Sequence, residues 1–379
     1  MLKAFSLLLC TATLFAAAGT TQTPNISVIR VPNGGIQPEA VMDAGGTLHL
    51  LYYQGDRMHG DLFYVRSSDT GVSWSKALRV NSKPGAAIAR GSIRGGQIAV
   101  GQDGRIHIAW NGSSPESEQR GAPMLYSRLN DAHTAFEAER NLMTHTFGLD
   151  GGGSLAADQT GNVYVSWHGT ALGAAAGEAD RKVWIAKSTD NGKTFTAEEA
   201  AWKEQTGACG CCGMAMFSDS KGTLRELYRS ATGNVHRDIY MLTSHDHGRT
   251  FDGRKLDTWN IDACPMTSMA IAEGAGKIEA AWETSGQVFF ENVAGGNAAP
   301  VAAPGEHKGN KHPRIAIGTG GDTLMAWTEG TSFTRGGSLA WQLYDSNGRA
   351  AGEKCTMAGV PAFSFGAVVT KPAGFVILY

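Results

Sequence analysis

Residues 209–251 read CGCCGMAMFSDSKGTLRELYRSATGNVHRDIYMLTSHDHGRTF, and this stretch contains both the repeating structural unit of the chain and its least common chemistry. Its last eight residues, SHDHGRTF at 244–251, have two further copies, SSDTGVSW at 67–74 and STDNGKTF at 188–195. The shared pattern is Ser-x-Asp-x-Gly-x-Ser/Thr-aromatic. In a turn of this kind the Asp carboxylate accepts hydrogen bonds from backbone amides, Gly adopts a positive φ, and the aromatic ring packs between sheets. Three copies in register predict a hairpin turn that recurs along the chain.

A longer repeat surrounds these octets. An apolar alternating strand, a Gly-containing turn and a second strand that ends in an aromatic residue recur seven times, at 38–53, 97–110, 154–167, 213–228, 266–282, 313–327 and 365–379. A third strand is expected after several of these hairpins, at 62–66, 183–187 and 239–243. Four strands per unit in a radial arrangement is the pattern of a β-propeller. We therefore predict an all-β fold with almost no helix, in which the Ala/Gly-rich segment 171–179 is a loop.

The octet resembles the Asp-box, or BNR repeat, of the sialidase (neuraminidase) superfamily, whose fold is a β-propeller. The resemblance covers nearly the whole chain after the N-terminus and implies one domain at 19–379. Sialidases have six blades, whereas the hairpin count here favours seven, so both numbers stay open. The last hairpin has no third strand after it, and the extended segment 26–31 is expected to complete that sheet and close the ring.

The N-terminus and the overall charge limit the location and the class of ligand. Residues 1–18 combine one charge, Lys3, with an apolar run at 7–15 and three alanines at 16–18, which predicts a signal peptide and a secreted or periplasmic protein. A lipid anchor at Cys10 is the alternative. The later sequence has no apolar run long enough to predict a membrane span. Loss of Lys3 changes the formal charge from −2 to −3, which argues against a nucleic-acid partner.

The topology of a hairpin predicts where a binding site lies. Each hairpin begins and ends at the same side of its sheet, so the residues before the first strands and after the second strands should share one face, here called the front face. The octet turns should lie on the opposite, back face, where Asp69, Asp190 and Asp246 would be structural. A pocket for a glycan or another small molecule is expected at the front face. The alternative is a solvated rim whose charges only pair with one another.

The sialidase resemblance implies a specific catalytic set, and this chain has only part of it. Sialidases bind the sugar carboxylate with three arginines, and they use an Asp acid/base and a Tyr nucleophile activated by a Glu. Gln37 stands where the first arginine is expected, Cys211 and Cys212 where the Glu is expected, and Phe363 where the Tyr is expected. Arg229 matches the second arginine, and no residue matches the third well. Phe cannot act as a nucleophile, so ordinary sialidase activity does not follow from the fold.

The resemblance implies that the acid/base lies in the loop after the first hairpin, which gives Asp56, Arg57 and Asp61, and most of the other candidates come from their places on the predicted front face. The catalytic candidates are Asp61, Arg229 and Glu283, with Asp61 or Asp56 as the acid/base. The substrate-binding candidates are Gln37, Asp56, Arg57, Arg94, Asp150, His168, Arg237 and His312. Whether the chain is a glycoside hydrolase resembling exo-alpha-sialidase, with another nucleophile or an activated water, or a lectin that only binds glycans, stays open. No cofactor is required for either function.

The cysteines allow a second function. Cys209, Cys211, Cys212 and Cys264 precede the fourth and fifth hairpins, and Cys355 lies near the C-terminus. An exported protein favours disulfides, so Cys264 is expected to be joined to Cys211 or Cys212, covalently or through a metal ion. The alternative is a soft-metal site for copper or zinc formed by these four thiols. In that case the front face binds a metal or a protein partner and no longer handles sugars.

Overall fold

The computed structural model describes residues 24–91, 94–113, 121–296, 298–306 and 309–379. Within these ranges the chain forms β-strands and two short 3-10 turns, Pro32–Gly34 and Gln102–Gly104, and no helix that could cross a membrane. The predicted signal peptide and Cys10 lie outside the described residues. The strands are β1 (Asn25–Ile29), β2 (Ile36–Met42), β3 (Leu48–Gly55), β4 (Gly60–Ser67), β5 (Leu78–Arg79), β6 (Gly96–Val100), β7 (Ile106–Asn111), β8 (Met124–Arg128), β9 (Arg140–Asn141), β10 (Thr146–Phe147), β11 (Ser154–Ala157), β12 (Val163–Ala171), β13 (Lys182–Ser188), β14 (Glu199–Ala200), β15 (Ala215–Ser218), β16 (Leu224–Arg229), β17 (Ile239–Ser244), β18 (Asp252–Asp257), β19 (Ala270–Gly274), β20 (Lys277–Thr284), β21 (Gln287–Asn292), β22 (Val301–Ala302), β23 (Asn310–Ile317), β24 (Thr323–Glu329), β25 (Gly337–Tyr344), β26 (Cys355–Val360), β27 (Ala367–Lys371) and β28 (Gly374–Leu378).

The described strands form seven sheets that follow one another around a central axis. Five sheets have four strands in chain order, a sixth contains β10 to β14, and the seventh contains β27, β28 and β1. The first strands β2, β6, β11, β15, β19, β23 and β27 each contact the next, and β27 contacts β2, so the ring is closed. The predicted all-β propeller fold is confirmed, and all seven predicted hairpins are present as the inner two strands of their sheets.

The ring is closed by the first strand of the described chain. β1 pairs with β28 in parallel, from Asn25 opposite Gly374 to Ile29 opposite Leu378. The expected segment 26–31 therefore does complete the last sheet. Without this strand the outer edge of β28 would present unpaired backbone groups to solvent.

The hydrophobic core lies between neighbouring sheets and not at the axis. The aromatic residue at the end of the hairpin repeat is almost fully buried in six of the seven sheets, as Tyr53, Trp110, Trp167, Tyr228, Trp282 and Trp327. Each ring covers the face of an adjacent sheet, so one large side chain per repeat fills most of a wedge-shaped gap. This burial explains why an aromatic residue recurs at the same place in the repeat.

The three octets form turns with the same hydrogen bonds. The Ser67 hydroxyl donates to Asp69 at 2.7 Å, the Gly71 amide donates to the Ser67 hydroxyl at 2.8 Å, and the Ser73 hydroxyl donates to Asp69 at 2.6 Å. Equivalent bonds occur at 188–194 and 244–250. The bonds from the Ser73 hydroxyl and amide and from Ser67 lower the pKa of Asp69 to about 2. The glycine has a positive φ, 93° at Gly71. The aspartates therefore stabilise turns.

We expect Asp246→Ala to lower the melting temperature by a few degrees and to leave ligand binding unchanged, because loss of the carboxylate removes the acceptor of the Thr250 amide and hydroxyl hydrogen bonds at 2.9 and 2.6 Å. Differential scanning calorimetry measures the shift. Asp252→Ala is the matched control, since Asp252 is a neighbouring exposed carboxylate. An unchanged melting temperature together with lost ligand binding would assign the octets to the functional face instead.

Candidate functional site

The central channel is wide at the back of the propeller and nearly closed at the front. A cavity of about 820 Å³ is lined by the inner strands and bordered by His247 and the turn at Ser220. At the front, the space around Gln37, Arg314 and Phe365 is only about 10 Å³. Sequence analysis placed the pocket at the front, but the long side chains there fill the axis. The lining of the back half includes Ala40, Ala99, Ala157, Ala215 and Ala270 from the inner strands.

An ion pair forms the floor of the channel. Arg314 pairs with Glu39 and donates further hydrogen bonds to the backbone oxygens of Gly366 and Met269, both at 3.2 Å. Burial raises the pKa of Glu39, although Arg314 and a hydrogen bond from Gln97 oppose this shift. The arginine thus links its own sheet, the sixth, to the first, fifth and last sheets and separates the two ends of the channel.

Gln37 has a structural role. Its side-chain Nε2 donates to the backbone oxygens of Gly91 at 2.7 Å and Phe363 at 2.9 Å, and its backbone N–H donates to the Ser364 hydroxyl at 3.0 Å. The residue is only 2% exposed and has a φ of 52°. Its amide therefore joins the first, second and last sheets, and it is not free to bind a substrate.

The loop between β3 and β4 and the start of β4 contain two candidate acids and one exposed arginine. Asp61 accepts hydrogen bonds from Asn81 Nδ2 at 2.6 Å and from the Gly85 amide at 2.8 Å, which fixes the following loop. Asp56 accepts from the backbone amides of Met58 and His59 at 2.9 and 3.2 Å. The bond from Met58 in particular lowers the pKa of Asp56. Asp56 is thus held by its own turn, and Asp61 is held by the loop that follows β5.

Arg57 lies between these acids and faces solvent. Its guanidinium carbon is 3.4 Å from the centre of the Phe363 ring, which is itself only 3% exposed. Phe333 meets Phe363 edge-on, with 6.1 Å between ring centres. The site where the sialidase resemblance expects a tyrosine is therefore an aromatic pair covered by an exposed cation.

Arg229 and Glu283 form a buried bridge between the fourth and fifth sheets. Their side chains are 0% and 2% exposed, and Nη2 lies 3.7 Å from Oε2. Arg229 also donates to the backbone oxygen of Glu283 and, at 2.7 Å, to that of Arg237, while its guanidinium lies 5.2 Å from the Trp259 ring centre. Burial raises the pKa of Glu283, and Arg229 opposes the shift. Neither catalytic candidate is accessible to a glycan.

Two buried histidines lie on the same face. His168 Nε2 accepts a hydrogen bond from the Gly151 amide at 3.1 Å, so in the neutral ring the proton is on Nδ1. Burial, with help from Arg181, lowers the pKa of His168 to about 3. Burial likewise lowers the pKa of His312 to about 3. Arg94 pairs with Asp150 beside His168. Both histidines are uncharged at neutral pH.

Three of the four candidate cysteines meet in one group. The sulfur of Cys209 lies 3.3 Å from that of Cys211 and 3.5 Å from that of Cys212. Cys209 and Cys212 are buried, and Cys211 is half-buried. Burial would raise the pKa of Cys212, but the Cys209 and Cys211 thiols and the Arg229 guanidinium lower it. Three sulfurs that could act together as metal ligands therefore lie just before β15.

The prediction that Cys264 joins this group is wrong. Cys264 is an exposed free thiol, and no disulfide links the cysteines of the described chain. The reason is loop length, since β19 begins at Ala270, six residues after Cys264, whereas β15 begins at Ala215, three residues after Cys212. Cys264 therefore lies on a surface loop and not beside the axis.

A charged cluster that sequence analysis missed surrounds the sulfurs. Glu178 accepts a hydrogen bond from the Gly210 amide at 2.8 Å and pairs with Arg237 at 2.7 Å and Arg181 at 3.6 Å. Glu178 lies in the segment 171–179, which forms the predicted loop except for Ala171 at the end of β12, and no local pattern indicates that this loop folds back onto Gly210. The Arg181 guanidinium packs closely on Gly210, since a Cβ at this position would lie 1.7 Å from Arg181 Nη1 and would displace that side chain.

No known protein family and no curated protein matches the sequence. The fold is similar to that of the Penicillium chrysogenum alpha-L-arabinanase bound to arabinobiose, with 15% identity, a TM-score of 0.52, and 87% of this chain and 94% of that chain covered. It is also similar to an ulvan lyase, a polysaccharide lyase, with 11% identity, a TM-score of 0.52, and 92% and 87% covered. The Hadza microbial sialidase Hz136 matches with 13% identity, a TM-score of 0.50, and 78% and 63% covered. At these identities the similarity establishes the architecture, and the chain is a β-propeller of the kind that also occurs in glycan-acting enzymes.

Proposed function

We propose that this protein binds an acidic glycan on its front face, at a site centred on Arg57. The observation that carries the proposal is the stacking of the exposed Arg57 guanidinium on the Phe363 ring at 3.4 Å. A guanidinium held by one of its flat faces keeps its edge available, and this edge matches a carboxylate or sulfate in a bidentate manner. The aromatic support also reduces the loss of side-chain freedom when the anion binds.

The surroundings of Arg57 supply further positive charge. Arg90 and Arg335 are exposed, and Arg335 lies on the same loop as the half-buried Phe333. Gly91, next to Arg90, approaches Phe333 and Arg94 so closely that an added Cβ would lie 3.0 Å from the phenylalanine ring. Exposed arginines therefore surround an aromatic pair, a combination that suits sugars with acidic groups.

The fold likeness supports a glycan as the ligand, since the alpha-L-arabinanase, the ulvan lyase and the sialidase share this architecture. Cleavage by the sialidase mechanism is a different matter. Phe363 has no hydroxyl to attack an anomeric carbon, and Arg229 and Glu283 are buried against each other. We therefore propose binding of the glycan without sialidase-type hydrolysis.

We expect the full-length protein to be retarded in native gels that contain polygalacturonate or ulvan and to migrate normally in gels that contain arabinan. Arg57→Ala should raise the dissociation constant for the acidic polymer by roughly 10-fold or more, because a charge-assisted hydrogen-bonded contact is lost. Arg66→Ala is the matched control, since Arg66 is an exposed arginine on β4, away from Phe363.

Equal retardation by arabinan, or unchanged binding by the Arg57→Ala variant, would contradict the proposal. Rapid hydrolysis of a sialic acid aryl glycoside would contradict it as well, because such turnover needs the nucleophile that Phe363 lacks. Loss of that turnover in an Arg229→Ala variant that remains folded would then assign the buried pair to substrate binding.

A further inference from the structure

We propose that Cys209, Cys211 and Cys212 bind one soft metal ion with a filled d shell, Zn²⁺ or Cu⁺, on the front face. This site is separate from the glycan site around Arg57 and does not depend on it.

The arrangement of the sulfurs carries the proposal. Their ligand atoms all lie within 4.8 Å of one another. A metal ion about 2.3 Å from each of three thiolates requires sulfur–sulfur separations of roughly 3.8–4.0 Å. The separations of 3.3 and 3.5 Å involving Cys209 reach this value when the sulfurs move apart by about half an ångström.

The ligand type selects the class of ion. Within the described residues the group contains three sulfurs and no carboxylate or imidazole. Thiolates favour soft ions such as Cu⁺ and Zn²⁺, whereas Ca²⁺ and Mg²⁺ require oxygen ligands. A Cys₃ set also leaves one coordination position free for Zn²⁺, which prefers four ligands.

The backbone holds the three cysteines in place before any ion binds. The Cys209 amide donates to the Arg229 backbone oxygen at 2.9 Å, and the Gly213 amide donates to that of Thr267 at 2.9 Å. Between these two points, Glu178 accepts the Gly210 amide hydrogen bond at 2.8 Å. The loop is thus fixed to three different segments, so little ordering remains when a metal binds.

The charges around the sulfurs match a metal–thiolate group. Arg181, Arg229 and Arg237 contribute three positive charges, and their partners Glu178 and Glu283 contribute two negative charges, so the formal sum is +1. A divalent ion with three thiolates carries −1, as does Cu⁺ with two thiolates and one thiol. Either group would neutralise the surrounding cluster.

Two buried N–H groups near the sulfurs also support a metal site. Arg229 Nε and Arg237 Nε make no hydrogen bond within the part of the chain that the structure describes. Arg229 interacts electrostatically with Cys212, and Arg237 does so with Cys209 and Cys211. Metal-bound thiolates accept hydrogen bonds from nearby donors, and such contacts orient the ligands and adjust their charge. Arg229 and Arg237 are positioned to donate these hydrogen bonds to the thiolates.

The test uses the reduced full-length protein without oxygen, after removal of metals with a chelator. Zn²⁺ is titrated in competition with a chromophoric zinc chelator, and Cu⁺ in competition with a chromophoric Cu⁺ chelator. Co²⁺ serves as a spectroscopic probe, because thiolate ligation gives intense charge-transfer bands in the near ultraviolet. We expect one ion per chain in at least one of the Zn²⁺ and Cu⁺ arms, and the arm with the tighter binding identifies the ion.

Single Cys→Ser variants at 209, 211 and 212 should each weaken metal binding by more than about 100-fold. Each of these cysteines would be a direct ligand, whereas loss of a residue that only hydrogen-bonds to a ligand typically weakens metal binding by 10- to 100-fold. Cys264→Ser and Cys355→Ser are the controls, because both thiols are exposed and lie outside the group. Cys211 is half-buried, so its variant remains informative if replacement of the buried cysteines prevents folding. Failure to bind Zn²⁺ and Cu⁺ when thiol titration shows all six thiols of the chain reduced would overturn the proposal. Equal loss of binding in the Cys264→Ser control would also overturn it.

Discussion

Arg229→Met is expected to destabilise the protein by about 3–5 kcal/mol, because removal of one partner of a buried ion pair leaves an uncompensated buried charge. The partner is Glu283, whose side chain is 2% exposed, and Arg229 also donates to backbone oxygens of two sheets. Urea unfolding with a chelator present measures the change in the free energy of unfolding without a contribution from bound metal.

The double variant Arg229→Met/Glu283→Gln separates the effect of the unpaired Glu283 carboxylate from the effect of the lost hydrogen bonds to the backbone. It should recover a large part of the loss, since the unpaired carboxylate is gone, whereas the lost backbone contacts are not restored. Arg249→Met is the control for the loss of an exposed arginine. A single variant that unfolds within about 0.5 kcal/mol of the wild type and yet loses glycan binding would make Arg229 a ligand-binding residue instead.

Glu226 should make the protein less stable as the pH rises. This side chain is fully buried in β16 and accepts a hydrogen bond from the Ser166 hydroxyl at 2.8 Å. Burial raises the pKa of Glu226 to about 8 from 4.5, although the Ser166 bond opposes the shift. Between these two values the native state holds a proton that the unfolded state releases. The free energy of unfolding therefore falls by roughly 1.4 kcal/mol per pH unit from about pH 5 to about pH 8.

Glu226→Gln removes this titration and keeps an acceptor for Ser166. Relative to the wild type, the variant should gain stability as the pH rises, by about 3–4 kcal/mol in total between pH 5 and pH 8, and the difference should level off above that range. Urea unfolding at half-unit pH steps measures it. Glu199→Gln, at an exposed glutamate of β14, is the control for the loss of a surface carboxylate. A stability difference that does not vary with pH would show that Glu226 is hydrated in the native protein.

The fold could be predicted because its pattern is local. Each hairpin combines alternation, a Gly-containing turn and a terminal aromatic residue, and the burial of Trp110, Trp167 and Trp282 shows why each repeat needs that residue. The closing strand could also be anticipated, since the last hairpin required a partner and one extended segment was left. Both inferences use the order of residues along the chain and need no distances between sheets.

The site was predicted less completely because it depends on distances between sheets. Arg57 follows β3, and the three clustered cysteines precede β15, so the order of strands was enough to predict that they share the front face. Glu178 and Arg181 were missed, because a loop that folds back onto Gly210, 32 residues later, has no local signature. Asp61 was proposed as an acid/base, and the structure shows its carboxylate bonded to Asn81 and Gly85. The sialidase resemblance predicted a catalytic role for Asp61, whereas in the structure its carboxylate stabilises the loop after β5.

The parallel pairing of β1 with β28 also determines how the ring responds to mechanical force. Two antiparallel strands that are pulled apart at the same end lose their hydrogen bonds one at a time. The two strands here run in the same direction, with Asn25 opposite Gly374 and Ile29 opposite Leu378. Tension applied before β1 and after β28 therefore acts along the strands and loads all of their shared hydrogen bonds at once. The β1–β28 pairing that closes the propeller is therefore loaded in shear, and its hydrogen bonds share the force.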